Sequence, residues 1–225
     1  DESQRARNLR FSRQELRDAD AITRALQRTV LSQYADTSPS EWAFSQDAAG
    51  KPYISAPSTS LSFNLSHTSE WVVCAVARHP FIGIDIEHCE RNATIVPLAK
   101  RFFSPQEYLE LLRFPVGEQK SRFFDYWTLK EAYIKARGEG ISLGLNRFGF
   151  ELEPTGKIGF YCDSELQDDP QLWHFGLSSS QGDHRMALAL KPRSLLRDLN
   201  IQYFLTIPQR STEVYEGPLL FGDQR

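Results

Sequence analysis

Two carboxylates stand two residues apart in the segment Gly83-Ile84-Asp85-Ile86-Glu87. Side chains alternate along a strand, so Asp85 and Glu87 would share one face at a separation of about 6.5 Å. Carboxylates at that spacing repel each other unless a positive charge lies between them. An incomplete set of oxygen ligands is typical of Mg²⁺ held jointly with a phosphate. The alternative is an edge strand whose polar face is solvated.

A second candidate lies in the segment from Trp127 to Lys135, whose pattern predicts a helix. Glu131 and Lys135 are four residues apart and would share one helix face, with Lys130 next to Glu131. This arrangement suits a third metal ligand together with two phosphate contacts. It also suits an ordinary surface ion pair, which stabilises a helix by only a few tenths of a kcal/mol.

Two polar segments add weaker candidates for anion binding. Ser66 and His67 fall in a predicted turn between two apolar strands, and Lys51 falls in a Gly-Lys-Pro turn. A hydroxyl, an imidazole and an ammonium group can each contact phosphate oxygens, although side chains in turns are commonly solvated. No Ser-His-Asp set is legible around His67.

The elements that must position these residues follow the order helix, strands, helices, strands. Apolar spacing predicts a long helix over residues 8–34 and helices between residues 94 and 137. The segment Ser104-Pro105-Gln106-Glu107 predicts a helix start, and the last helix, from about residue 120, is predicted to end at Gly138. Period-two alternation predicts strands over residues 61–65 and 71–77, at 81–87, and in four further segments after residue 147. This order indicates an α+β fold.

Composition and charge exclude some classes of protein. The 225 residues include 26 Lys and Arg and 29 Asp and Glu. The resulting net charge of −3 argues against a protein that coats nucleic acid without sequence preference. The longest apolar run, residues 71–77, is far shorter than the roughly 20 residues that cross a membrane. Three cysteines without a CxxC pair favour a reducing cytoplasm. The length fits one large domain or two small halves sharing a core.

Taken together, these segments resemble the ordered signature blocks of the 4′-phosphopantetheinyl transferases, of the large surfactin-synthetase-activating type. The similarity runs from about residue 5 to about residue 190. The blocks are Gly50-Lys51-Pro52, Phe63-Asn64-Leu65-Ser66-His67, Gly83-Ile84-Asp85-Ile86-Glu87, Arg101-Phe102-Phe103-Ser104-Pro105-Gln106-Glu107 and Trp127-Thr128-Leu129-Lys130-Glu131-Ala132 with Lys135.

The resemblance implies a pseudo-twofold arrangement of two similar α+β halves, residues 1–81 and 82–195, with the active site in the cleft between them. Residues 196–225 would form an extension for which no role is predicted. The implied enzyme is a monomer that moves the 4′-phosphopantetheine arm of coenzyme A onto a serine of an acyl or peptidyl carrier protein. It releases adenosine 3′,5′-bisphosphate and uses Mg²⁺. The carrier is expected to dock on residues 94–100.

The resemblance also implies roles for individual residues. Asp85, Glu87 and Glu131 would hold the metal ion, and Lys130 and Lys135 would neutralise phosphate charge. Glu131 is the preferred group to take the proton from the carrier serine, with Glu107 as the alternative.

The nucleotide end of coenzyme A would be bound by Lys51, Ser66 and His67. The chain departs from the family in its first helix, where Asp20 stands at a position that usually offers a neutral or basic residue to the 3′-phosphate. Arg5 and Arg7, just upstream, are therefore the predicted substitute contacts, with Arg7 chosen as the binding residue.

Two other functions remain open at this point. The first is a different Mg²⁺-dependent phosphotransferase or a nuclease, which would need a basic nucleic-acid track that the net charge does not indicate. The second is a non-catalytic module that binds carrier proteins, which predicts losses among the acidic and basic site residues. None of those residues is lost.

Overall fold

The computed structural model is an α+β fold, in agreement with the sequence. It describes residues 8–9, 11–68, 70–90, 93–180, 183–192, 200–215 and 219–222. Four α-helices lie in these ranges: α1 (Gln14–Leu31), α2 (Ile95–Phe102), α3 (Pro105–Arg113) and α4 (Val116–Arg137). The strands are β1 (Ala43–Gln46), β2 (Pro52–Ala56), β3 (Ser62–His67), β4 (Val72–Ala77), β5 (Phe81–His88), β6 (Phe148–Leu152), β7 (Ile158–Cys162), β8 (His174–Ser180), β9 (His184–Lys191), β10 (Phe204–Ile207), β11 (Ser211–Val214) and β12 (Leu219–Gly222).

The N-terminal part consists of helix α1 and two antiparallel hairpins, β1–β2 and β3–β4. They enclose a small core that includes Leu31, Trp42 and Phe63. The predicted helix over residues 8–34 is too long at both ends, because the helix begins at Gln14 and ends at Leu31.

The predicted turn around Ser66 and His67 is wrong. Both residues belong to strand β3 and pair with Val73 and Val72 of strand β4. The reversal of the chain comes after them, where the backbone N–H of Thr68 donates to the carbonyl of Trp71 at 2.8 Å. Ser66 therefore takes a fixed position on a sheet face, and that position decides what its hydroxyl can contact.

The C-terminal part is a four-stranded antiparallel sheet in the order β12-β8-β9-β5, on which helix α4 packs. The predicted start of α3 and the predicted end of α4 are confirmed, whereas α4 begins at Val116, earlier than predicted. Ser104 and Glu107 form a reciprocal capping box at the start of α3, and Gly138 ends α4 with a φ of 75°. Aromatic side chains of α4, β6, β7 and β8 fill the main core.

Gly83 lets helix α4 lie directly against strand β5. A Cβ atom at this position would stand 2.0 Å from the carbonyl oxygen of Ala132 and 2.4 Å from the backbone nitrogen of Ala136. Because Gly83, Asp85 and Glu87 alternate onto one strand face, all three look toward this helix. The close approach brings the acidic face of β5 against the charged segment of α4.

Side chains of β3 join the β3–β4 hairpin to the four-stranded sheet. Strand β5 is the last strand of its sheet, so the outer edge of its backbone forms no ladder there. The amide oxygen of Asn64 accepts the N–H of Ile84 at 2.9 Å, and the hydroxyl of Ser66 accepts the N–H of Ile86 at 3.4 Å. Buried backbone donors at this junction are thereby satisfied.

The C-terminal extension has a structural role that the sequence left open. Strand β12 covers the edge of β8, and the hairpin β10–β11 reaches the turn that follows helix α1 through a hydrogen bond of 2.6 Å from Gln33 to Thr212. In the described part of the chain, no helix is long and apolar enough to cross a membrane.

Candidate active site

Asp85 is the centre of the site between strand β5 and helix α4. Its side chain is buried, and its Oδ1 accepts hydrogen bonds from Ser66 at 2.9 Å and from Lys135 at 2.7 Å. Its Oδ2 is also buried and receives no hydrogen bond from any residue that the structure describes. A buried carboxylate oxygen without a donor is costly unless a cation or another ligand satisfies it.

Helix α4 presents three polar or amphipathic side chains along one face. Trp127, Glu131 and Lys135 are successive i, i+4 neighbours. The indole N–H of Trp127 donates to Oε1 of Glu87 at 3.2 Å, and the ammonium of Lys135 contacts Asp85. Glu131 is half-buried and lies between these two contacts on the helix, so it faces the same stretch of β5.

The donor set at this point fits a hard divalent cation. Asp85, Glu87 and Glu131 offer carboxylate oxygens, which Mg²⁺ prefers, and the unpartnered Oδ2 of Asp85 is an open ligand position. The three groups do not form a closed ligand set, because their oxygens do not all lie within 4.8 Å of one another. A shared cation would have to draw them closer.

Lys130 lies on the opposite side of helix α4, in the core. Its ammonium group is completely buried and donates to the carbonyl oxygens of Leu145 at 2.8 Å and Phe148 at 2.6 Å. It also forms an ion pair of 2.8 Å with Glu107, which is equally buried. Burial lowers the pKa of Lys130, and the Glu107 carboxylate opposes that shift.

Glu107 has no exposed surface and uses both oxygens within the protein. Oε2 accepts the N–H of Ser104 at 2.9 Å in addition to the Lys130 ammonium, and Oε1 accepts the N–H of Phe150 at 3.0 Å. Because both side chains are fully enclosed, neither Glu107 nor Lys130 can touch a molecule bound beside Asp85. The structure therefore corrects their two expected roles, proton acceptor and phosphate contact, to a structural one.

Lys51 closes the C-terminal end of helix α4. Its ammonium donates to the carbonyl oxygens of Ala136 at 2.8 Å and Ile82 at 3.4 Å. Desolvation lowers its pKa to about 8. Lys51 also lines a groove of about 390 Å³ that includes Tyr53 and Phe81. It therefore lies farther along the same β5–α4 junction than Asp85, at the mouth of a groove.

The remaining predicted contacts fall in different places. Ser66 is buried beside Asp85, whereas His67, the next residue of β3, is exposed. Arg7 lies outside the described residues. Asp20, the departure from the family pattern, accepts hydrogen bonds from Nε of Arg24 at 3.0 Å and from Nη2 of Arg24 at 2.9 Å.

Two residues of the site were not predicted from the sequence. Asn64 holds the Ile84 backbone, and Trp127 holds Glu87. Each carried a signal in its spacing, since Asn64 lies two residues before Ser66 on a strand and Trp127 lies four residues before Glu131 on a helix.

Comparison with known proteins identifies relatives of this chain. A family model for the 4′-phosphopantetheinyl transferase superfamily matches residues 81–189, and one for the N-terminal part of 4′-phosphopantetheinyl transferases matches residues 1–79. The 4′-phosphopantetheinyl transferase HetI of Nostoc sp. is 41% identical over 153 residues, which cover 67% of this chain and 64% of HetI. Sfp of Bacillus subtilis is 39% identical over 133 residues, covering 59% of this chain and 58% of Sfp.

The match is longer for a third relative. A phosphopantetheinyl transferase of Thraustochytrium sp. is 31% identical over 203 residues, covering 85% of this chain and 69% of that protein. The two family matches together include Ser66, Asp85 and Lys135. The chain belongs to the 4′-phosphopantetheinyl transferase superfamily.

Proposed function

We propose that the chain transfers the 4′-phosphopantetheine arm of coenzyme A to a serine of an apo acyl or peptidyl carrier protein. The observation that carries the proposal is the buried Asp85 carboxylate, with one oxygen held by Lys135 and Ser66 and the other without a donor among the described residues. Relatives that are named for this transfer support the choice of reaction.

Asp85, Glu87 and Glu131 would hold one Mg²⁺ ion. When bound, the ion neutralises charge on the pyrophosphate and polarises the phosphorus that is attacked. Its oxygen ligands leave room for phosphate oxygens and water, as is usual for Mg²⁺. The support is the donor chemistry of the three carboxylates and the open Oδ2 of Asp85.

Lys135 and Glu131 are proposed to act on the reacting groups. In the transfer, the serine oxygen forms a bond to the phosphorus that carries the pantetheine arm, and the bond from that phosphorus to the bridging oxygen breaks. Adenosine 3′,5′-bisphosphate leaves with the electron pair. Lys135, which is partly exposed, would balance charge on the leaving side. Glu131 would accept the serine proton, since Glu107 is enclosed in the core.

The nucleotide end of coenzyme A is proposed to lie on the N-terminal part. Lys51, Ser66 and His67 are the proposed contacts, with Arg7 for the 3′-phosphate. The groove beside Lys51 is lined by the apolar and aromatic side chains that a purine ring needs for stacking. Ser66 would act mainly by orienting Asp85 and Lys135, because its hydroxyl already contacts both.

The carrier protein is proposed to dock on helix α2. Lys100 and Arg101 are exposed at its C-terminal end, and they would attract an acidic partner. The proposal includes two pseudo-twofold halves, residues 1–81 and 82–195, working as a monomer in the cytoplasm. Residues 196–225 would be a C-terminal extension, whose strand β12 adds to the sheet of β8, β9 and β5.

The test is mass spectrometry of purified apo carrier proteins from fatty-acid, polyketide and peptide synthesis, each incubated with the chain, coenzyme A and Mg²⁺. The expected result is a gain of one phosphopantetheine arm on one serine of at least one carrier. The same carrier with that serine replaced by alanine should gain nothing, and a chelator should stop the reaction. A carrier that binds the chain but never gains the arm would instead support the non-catalytic module.

A further inference from the structure

A second group of metal-ligating side chains lies at the far end of strand β5. Glu70 belongs to the turn between β3 and β4, His88 is the last residue of β5, and His184 is the first residue of β9. Each residue offers one ligand atom, and these three atoms all lie within 4.8 Å of one another. Among the described residues, this is the one group of three or more His, Cys, Asp and Glu side chains that converges so closely.

The sheet holds the two imidazoles together. His88 and His184 are direct partners across the β5–β9 ladder, and their rings meet edge to face with centroids 4.6 Å apart. His184 has no exposed side-chain surface, whereas His88 is half-buried. A cross-strand pair of this kind fixes the spacing of two nitrogen ligands without any loop.

The turn after β3 brings the carboxylate over the imidazoles. The Thr68 hydroxyl accepts the backbone N–H groups of Glu70 at 3.3 Å and Trp71 at 3.2 Å, which orders the turn. Oε2 of Glu70 then lies 3.7 Å from Nε2 of His184, and the Thr68 hydroxyl lies 3.4 Å from the same nitrogen. Each ligand thus comes from a backbone segment that is held in place by its own contacts.

We propose that Glu70, His88 and His184 bind a divalent transition-metal ion of the zinc class. Two imidazoles and one carboxylate suit such ions, whereas Mg²⁺ prefers an all-oxygen set. Ligands at 2.0–2.2 Å around a tetrahedral zinc ion lie roughly 3.4 Å apart. The distance of 3.7 Å between Glu70 and His184 is close to that value. A water molecule would take the fourth position.

This site is separate from the Asp85 site. Glu87 contacts Trp127 of helix α4, so the next residue, His88, points to the other face of the strand. The proposed metal would link the β3–β4 turn of the N-terminal part to β5 and β9 of the C-terminal sheet. It would therefore stabilise the junction beside the proposed active site. The proposal does not depend on the transfer reaction.

The experiment is calorimetric titration of the untagged, chelator-treated chain with Zn²⁺ in saturating Mg²⁺. One equivalent should bind, and the same Zn²⁺ should raise the melting temperature. The variants Glu70→Gln and His88→Gln should each weaken the binding at least tenfold. Two controls, His79→Gln and Asp85→Asn, should leave the stoichiometry and affinity unchanged. In a parallel titration, Co²⁺ should give visible absorption bands that are lost in the Glu70 and His88 variants.

Each other outcome would overturn the proposal. Absence of a Zn²⁺ equivalent would mean that Glu70 and His184 form only a direct contact. An equivalent that survives in both Glu70→Gln and His88→Gln, or that disappears in Asp85→Asn, would place the ion elsewhere. Because Glu70 is exposed and His88 is half-buried, unchanged circular dichroism in these two variants is expected and confirms that binding is compared between folded proteins.

Discussion

At the scale of the residue, Lys130 and Glu107 form the most deeply enclosed ion pair of the described structure. Both side chains have zero exposure, and backbone groups satisfy their remaining hydrogen-bonding positions. An isolated buried charge is strongly unfavourable, but a pair with complete hydrogen bonding is tolerated. The adjacent residue Glu131 is half-buried on the β5 side of the helix, so one Lys-Glu dipeptide contributes to both the core and the candidate site.

Replacing Lys130 by methionine should destabilise the fold by about 3–5 kcal/mol, because Glu107 would remain as a buried, unpaired charge. Urea unfolding measures the change. The double variant Lys130→Met with Glu107→Gln should recover part of the loss. Lys120→Met on the same helix removes the exposed ion pair with Glu90 and should cost no more than about 1 kcal/mol. If Lys130→Met and Lys120→Met lost the same free energy of unfolding, Lys130 and Glu107 could not be a buried structural pair.

The lowered pKa of Lys51 predicts a pH dependence of stability. Its pKa is about 8 in the folded chain and near 10.5 when unfolded, so between these values the unfolded state binds more protons. Stability conferred by this group therefore rises with pH across that window. Urea unfolding at several pH values should show the wild type gaining stability relative to Lys51→Met between about pH 8 and 10.5. A constant difference would show that the ammonium is not desolvated.

At the scale of the element, the contact between β5 and α4 depends on the missing side chain of Gly83. Gly83→Ala would push a methyl group into the Ala132 carbonyl, so the helix and strand must separate. We expect the free energy of unfolding to fall by about 1–3 kcal/mol, as in overpacked cores. We also expect a loss of the proposed transfer activity, because Glu131 and Lys135 move with the helix. Thermal unfolding and the carrier assay measure the two effects.

Gly117→Ala is the matched control for that prediction. Gly117 lies in the first turn of α4, and a Cβ there meets nothing within 4 Å. Alanine should be neutral or stabilise the helix by up to about 1 kcal/mol. If Gly83→Ala behaved like Gly117→Ala, the close packing of β5 on α4 would be disproved.

The start of α3, the end of α4 and the strand periodicity were predictable because they depend on local chemistry. The capping box of Ser104 and Glu107 and the left-handed Gly138 are satisfied within one turn. The strand position of Ser66 and His67 was missed, because polar residues there resemble a turn until the partner strand β4 and the edge of β5 are known. Tertiary hydrogen bonds of Ser66 to Asp85 and Ile86 outweigh the local preference.

At the scale of the whole molecule, the β3–β4 hairpin meets the four-stranded sheet through side chains of β3. Asn64→Ala would leave the buried N–H of Ile84 without its acceptor, at a cost of about 1–3 kcal/mol. Denaturant unfolding should show this loss, whereas Asn146→Ala at an exposed position should change stability little. A loss in Asn64→Ala no larger than in Asn146→Ala would mean that the junction depends on other contacts.

The sequence predicted which face of β5 carries the acidic pair, because period-two alternation alone determines it. It could not separate Lys130 from Lys135, since both are basic residues beside Glu131. Only the packing of α4 shows that one enters the core and the other reaches Asp85. The Glu70, His88 and His184 group was also invisible, because its members are far apart in the sequence and are brought together by the β5–β9 ladder.

The most direct test of the proposed function is single-turnover transfer by Asp85→Asn, followed by mass spectrometry of the carrier protein with coenzyme A and Mg²⁺ saturating. The asparagine keeps the size of the side chain and an oxygen for Ser66 and Lys135, but it removes the charge. The account predicts at least a hundredfold slower transfer with an unchanged melting temperature, and wild-type transfer by Asp163→Asn at an exposed position. Transfer by Asp85→Asn at the wild-type rate would contradict it.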